Sequence, residues 1–433
     1  MSTDRVHLIV RDDLGRTRIT VGLRLLLAIP HYIWVSLWSV VAFFAALCNW
    51  LLTLVLGRSP SWLHHFLAAY VKYVTQLYAY LRLAADPYPS FDAPDGYPVD
   101  VHIPSPTRQR RLTVLARILI ALPALLLAQV LSGTGVTSSF TSGSLGAWIV
   151  QGGLGGTAAF LGWFVCVGLR RMPRGLRDAA AWSLLYGAQL WAYLLVLTDR
   201  YPDCDPLALP GLPDRDDPVD VRGADDLRRS RLTTLFRLPL SYPHIVWLVA
   251  WSIVAVPATM LNWLLTLITG RPPRALHAFL ARYVRYEVSV YAFAYMFANP
   301  FPGFAGAPDG YPPLQTAIAP PGGQSRWKVL FRLVLALPAL LVVSVYGTLA
   351  YVLGFYSWVV ALLFGRVPLG VRNAGAVAVR YQAQLLGYLM VLTDRYPYTG
   401  PLLGDGASSP TPAPATPEPV GGTPLGHALP VEV

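Results

Sequence analysis

The chain has 433 residues, 54% of them hydrophobic and 13% charged, with a formal net charge of +11. Soluble domains carry about 25% charged residues, so one water-soluble core is excluded as the home for this much apolar side chain. The arginines are spread around apolar segments without a basic–aromatic patch, which favours anionic headgroups over nucleic acid. Cys48, Cys166 and Cys204 share no metal spacing and no disulfide pattern.

In chain order, the N-terminal stretch to Asp13 is charged and lacks a signal-peptide core, so insertion is expected to rely on the first apolar segment. Val6–Val10 alternates in the manner of a short strand outside the membrane. Leu25 to Leu56 follows with 32 uncharged residues, longer than a bilayer crossing requires. A turn at Arg58-Ser-Pro60 leads into a second helix, which Asp86-Pro-Tyr-Pro ends because proline breaks the ladder.

This plan recurs. An Arg six residues before a Pro appears at Arg24/Pro30, Arg117/Pro123, Arg237/Pro243 and Arg332/Pro338. Arg-x-Pro appears at Arg58/Pro60, Arg171/Pro173, Arg271/Pro273 and Arg366/Pro368. From each turn Pro to the closing Asp86, Asp199, Asn299 or Asp394 is 26 residues. The expected units are therefore residues 1–98, 99–210, 211–312 and 313–400, followed by a Pro/Gly/Ala/Thr-rich tail, 401–433, expected to be disordered. Unit one resembles unit three and unit two resembles unit four, so the chain reads as two similar halves. Unit two alone carries a Gly/Ser/Thr-rich insertion at 132–157.

The expected fold is an all-α integral membrane protein of four homologous helical repeats, two per half, with short extramembrane strands. Two spans per unit give about eight transmembrane helices, with both termini cytoplasmic from the distribution of basic residues. The uncharged run Ala179–Thr198 reads as one of these spans. The alternative makes each long segment a membrane hairpin, turning at the small residue nine after the first Pro (Ser39, Ser132, Ser252, Gly347), with the second helix interfacial. The insertion favours hairpins; the uninterrupted Val35–Leu56 favours spans.

The second helices share a patterned face. Tyr73, Tyr186, Tyr286 and Tyr381 lie 13 residues after each turn Pro, and Gln76, Gln189, Ser289 and Gln384 lie three further on. These spacings place them on one helical face, either as a packing seam or as the lining of a ligand path. Lys72, Arg285 and Arg380 share the preceding slot, which Leu185 fills in unit two. A cation at the bilayer centre costs roughly 2.5–3.5 kcal/mol or more. Each must therefore face a polar interior or anionic ligand, or lie on an interfacial helix.

No catalytic set, cofactor motif or metal site emerges. His31, His244, His64 and His277 lack acidic or Cys companions at ligand spacing, and Asp86, Asp199 and Asp394 occupy ordinary turn positions. Gly152–Gly156 lacks the frame of a phosphate loop.

The phrases Leu26-Leu-Ala-Ile-Pro-His31, Gly270-Arg-Pro-Pro273 and Leu197-Thr-Asp-Arg-Tyr-Pro202 together resemble a bacterial membrane family catalogued as domain of unknown function 4389. The resemblance runs over about residues 5–400 as four tandem units and implies a bacterial inner-membrane location without implying an activity. Two functions fit these readings. One is a non-enzymatic scaffold or accessory subunit working with a membrane-protein partner. The other is a transporter or lipid-handling protein with an anionic ligand site between the halves, built on Lys72, Arg285 and Arg380.

Overall fold

The computed structural model describes residues 5–133, 152–213, 215, 217–223, 225–308, 310–312 and 314–403. The expected disordered tail beyond residue 403 and most of the expected insertion loop lie outside the described residues.

Unit one contains strand β1 (His7–Val10), a short helix α1 (Arg18–Leu27), the long α2 (Ile29–Leu56) and the second helix α3 (Ser61–Leu81). Unit two contains β2 (Val99–His102), α4 (Arg111–Leu115), α5 (Arg117–Ser132), α6 (Gly153–Leu169) and α7 (Arg174–Leu194). Units three and four repeat the order as β3 (Val219–Gly223), α8 (Arg231–Leu235), α9 (Arg237–Thr269), α10 (Arg274–Ala294), then β4 (Leu314–Ile318), α11 (Arg326–Leu330), α12 (Arg332–Phe364) and α13 (Leu369–Leu389). Glycine sets the end of three long helices. Gly57, Gly270 and Gly365 take φ of 73°, 76° and 69°, the left-handed cap that a residue with Cβ adopts at a penalty. Arg170 fills that role in unit two at φ 57°.

Three layers result. Strands form the outer layer, second helices the middle, and long apolar helices the third. β1 pairs antiparallel with β2, Leu8 opposite Val101, and β3 pairs with β4, Val221 opposite Thr316. Each sheet therefore joins two consecutive units. The sheets lie on the second helices, which pack against each other as α3–α7 and α10–α13 and against their own long helices behind. α7 and α13 are buried along nearly their whole length. α2 and α9 instead expose Leu37, Phe43, Phe44, Ile253 and Met260. An apolar face of this extent marks a surface meant for lipid or a partner rather than water. The halves meet where α12 packs on α5 and α6.

This arrangement corrects the eight-span expectation. Among the described residues, three helices are by length and composition able to cross a membrane: Arg18–Leu56, Arg237–Thr269 and Arg332–Phe364. The run from Ala179 misled because burial in protein and burial in lipid select the same apolar composition, and α7 is enclosed by protein. The turns and lead-ins, expected on opposite faces, are hydrogen-bonded neighbours. Arg16 N donates to Arg170 O at 3.0 Å, Gln109 N to Gly57 O at 2.8 Å, Arg229 N to Gly365 O at 2.8 Å and Gln324 N to Gly270 O at 2.8 Å. The hairpin alternative also needs correction, since Ser39, Ser252 and Gly347 sit inside unbroken helices. Only in unit two does the helix stop at that position, where Gly133 takes φ 66° after Ser132.

Candidate functional site

The landmark arginines have a common structural job. Each second helix ends in a non-glycine left-handed residue, Leu83, Val196, Met296 or Val391, at φ between 58° and 69°. The turn leaves carbonyl oxygens of the last helical turn without helical donors. Arg24 Nη1 donates to Tyr80 O at 2.6 Å and Ala85 O at 3.1 Å, and its Nη2 pairs with Asp86 at 2.8 Å. Arg117 donates to Tyr193 O and Thr198 O, Arg237 to Phe293 O and Ala298 O, and Arg332 to Tyr388 O and Thr393 O. Each guanidinium also lies 3.8–4.5 Å from the ring centroid of Tyr80, Tyr193, Phe293 or Tyr388. A cation at a helix C-terminus is favoured by the dipole, and the planar fork suits two carbonyls at once. The sequence exposed the recurrence of these arginines but not the role.

The tyrosines pin second helix to long helix. Tyr73 Oη lies 2.6 Å from His31 Nδ1, and Tyr286 Oη lies 2.8 Å from His244 Nδ1. Units two and four have alanine in place of that histidine. There Tyr186 and Tyr381 donate to the alanine's backbone, Ala124 O at 3.2 Å and Ala339 O at 3.4 Å. Both histidines stack on loop aromatics, His31 on Phe91 at 4.4 Å and His244 on Phe304 at 4.4 Å between centroids.

The glutamines tie the second helices to the strand layer. Gln76 Nε2 donates to Pro94 O at 3.2 Å and to Asp100 at 3.3 Å. Gln189 Nε2 donates to Val6 O at 3.2 Å, and its Oε1 accepts from Asp203 N at 2.9 Å. Gln384 repeats this with Val219 O at 3.1 Å and Tyr398 N at 2.9 Å.

The three cations face the same layer. Lys72 pairs with Asp95 and lies 3.6 Å from Asp100. Arg285 Nε donates to Thr316 O at 3.1 Å. Arg380 pairs with Asp217 at 2.6 Å and Asp220 at 3.2 Å, all three residues being buried. Burial alone would raise the Asp217 carboxyl, but Arg215, Arg380 and Arg395 outweigh it and hold it below the ordinary range. The ten candidate residues are thus distributed over four helices as parallel contacts, and the structure does not gather them around one space.

One titratable group stands apart. Glu287, facing Gln382 at 3.1 Å and Tyr283, is pushed up to about 7 by burial. His64 and His277 are buried under the loops closing units two and four, and burial lowers both below the ordinary histidine range. Among the described residues no group of three or more His, Cys, Asp or Glu has a metal-holding arrangement.

A family described as a domain of unknown function (DUF4389) matches residues 18–92, 231–305 and 326–399. These regions make up just over half of the chain, which belongs to that family. They fall within the expected units one, three and four, so membership rests on three regions rather than on the four units the resemblance suggested. Unit two, whose long segment is divided into α5 and α6, shares the strand, the second helix and the Arg117 cap without such a match. No curated protein and no solved structure matches the chain.

Proposed function

We propose that this member of the DUF4389 family is a non-enzymatic membrane scaffold of a bacterial inner membrane, working as an accessory subunit beside a membrane-protein partner. The observation that carries this reading is the use of the polar seam. Tyr, Gln and cation positions on the second helices are engaged by strands, loops and neighbouring helices of the same chain. A fold that devotes its recurrent polar groups to its own cohesion suits a rigid platform. The long-helix layer would sit in lipid, and the strand layer would face the aqueous side. Each strand has one ladder partner among the described residues, which leaves an edge for a partner strand. The alternative anionic site between the halves has less support, because Lys72 and Arg380 already hold carboxylates.

The test is purification of the tagged full-length chain from its native membrane in mild detergent. The scaffold reading expects a reproducible stoichiometric partner and no solute flux after reconstitution. A lone monomer that conducts solute in liposomes would overturn it.

A further inference from the structure

Fourteen residues after the turn Pro, the facing second helices of the second half carry Glu287 and Gln382, whose side chains meet at 3.1 Å and close the space between them. The same positions in the first half are Val74 and Gly187. Without long side chains there, a half-open cavity of about 200 Å3 remains between α2, α3, α5 and α7. Twenty-two residues after the turn Pro, the first half has Arg82 where the second has Tyr295.

Arg82 lies at the cavity's inner end and is 7% exposed. Its Nη1 donates to Ser183 Oγ at 2.8 Å and its Nη2 to Ser132 O at 2.5 Å, and Tyr78 lies 5.2 Å from the guanidinium. Among the described residues no carboxylate pairs with it. Arg16, Arg24, Arg229 and Arg380 all have one, and Arg117 and Arg237, which do not, are held by helix-end carbonyls and do not line this cavity. The carbonyl at the end of α5 supplies only the partial negative charge of a helix C-terminus. A buried cation in this state favours an incoming anion. The outer end of the cavity is apolar and aromatic, with Tyr32, Tyr78 and Trp191 about 40% exposed and continuous with the bare face of α2.

We propose that this cavity binds the carboxylate head of a single-chain fatty acid, with the Arg82 guanidinium receiving the head, the Ser183 hydroxyl proton being held by Ala180 O at 2.7 Å, and the acyl tail leaving between Tyr32 and Trp191 along α2. One guanidinium, partly compensated by a helix end, matches one negative charge better than the near-double charge of a phosphate monoester. The volume exceeds that of a cavity of about 150 Å3 that admits benzene, so it takes the head and first methylenes rather than a whole lipid. The site lies within the first half and does not depend on the scaffold reading.

The full-length protein in detergent is titrated with oleate, methyl oleate and lysophosphatidate, and bound lipid is counted by native mass spectrometry. The expected result is one oleate per chain, at least tenfold preferred over both other lipids. Arg82→Gln and Gly187→Gln should each weaken oleate at least tenfold. Gly187→Gln installs the side chain the second half uses, and a Cβ there meets Ser132 only at ordinary contact distance, 3.5 Å, so it remains informative if Arg82→Gln fails to fold. Equal binding of methyl oleate, wild-type affinity in Gly187→Gln, absence of bound oleate, or displacement of oleate by equimolar lysophosphatidate would each overturn the proposal.

Discussion

Tyr286 Oη lies 2.8 Å from His244 Nδ1 and 3.5 Å from the backbone oxygen of the same residue. The paired units show the second contact by itself, as Tyr381 bonds to Ala339 O. The hydroxyl therefore has a fallback partner, whereas the buried imidazole does not. His244 Nε2 is already without a partner among the described residues. Tyr286→Phe should accordingly destabilise more than Tyr381→Phe, by about 1–3 kcal/mol against about 0.5–1.5 kcal/mol. Thermal unfolding of both variants in one detergent ranks them, and equal shifts would contradict the distinction.

Arg380 and Lys72 occupy equivalent slots but differ in surroundings. Arg380→Leu removes a buried, charge-assisted partner from both Asp217 and Asp220, although Arg215 still pairs with Asp217 at 2.9 Å, and should cost about 1.5–3 kcal/mol. Lys72→Leu releases Asp95, which is 99% exposed at its side chain, and should cost less than about 1 kcal/mol. Melting temperatures that fall equally would show that the strand layer is not clamped as described.

Removing a landmark arginine should be severe. Arg237→Ala leaves the Phe293 and Ala298 carbonyls without their shared donor at a buried helix end, an expected loss of about 3 kcal/mol or more. Arg237→Lys should recover less than half, because an ammonium on a flexible stem cannot reproduce the fork. Full rescue by lysine, read from expression and melting temperature, would point to charge alone.

Glu287 makes stability pH-dependent. Its folded value of about 7 lies above the ordinary 4.5, so the folded state holds its proton longer than the unfolded state. The contribution is intact below about 4.5 and is lost as pH rises through about 7. Glu287→Gln should therefore melt close to wild type at pH 5 and higher than wild type at pH 8, by roughly 1–3 kcal/mol in stability. A variant that tracks wild type at both pH values would remove Glu287 as the cause.

The adjacency of turns and lead-ins sets an accessibility result. Single cysteines replacing Arg58 and Ser105, both exposed, in a background without Cys48, Cys166 and Cys204 should react with an impermeant thiol reagent from the same side of the membrane. Labelling from opposite sides would restore the eight-span arrangement.

Much of this was legible in the sequence because spacing survives where chemistry is plain. The Arg and Arg-x-Pro landmarks fall near the starts of the long helices and at the turns before the second helices. The function of Arg24 and its counterparts was hidden because its partners are backbone carbonyls, which no residue type advertises, released at left-handed positions held by Leu, Val and Met rather than Gly. The partners of the cations in the second helices were hidden because they come from elsewhere in the chain. Asp217 reaches Arg380 from 163 residues away. Span number was misjudged for the reason Ala179–Leu194 shows: hydropathy reports removal from water, not what does the removing.

The reciprocal bridges between units fix the smallest piece of this chain able to close its own backbone. While the ribosome has made only unit one, Arg16 N and Gly57 O lack the Arg170 and Gln109 groups that satisfy them, and β1 has no ladder. Completion waits for the second unit, and the same holds for the third and fourth. A chain ending on an odd unit would leave an open strand and an unpaired turn for the cell's proteases to find.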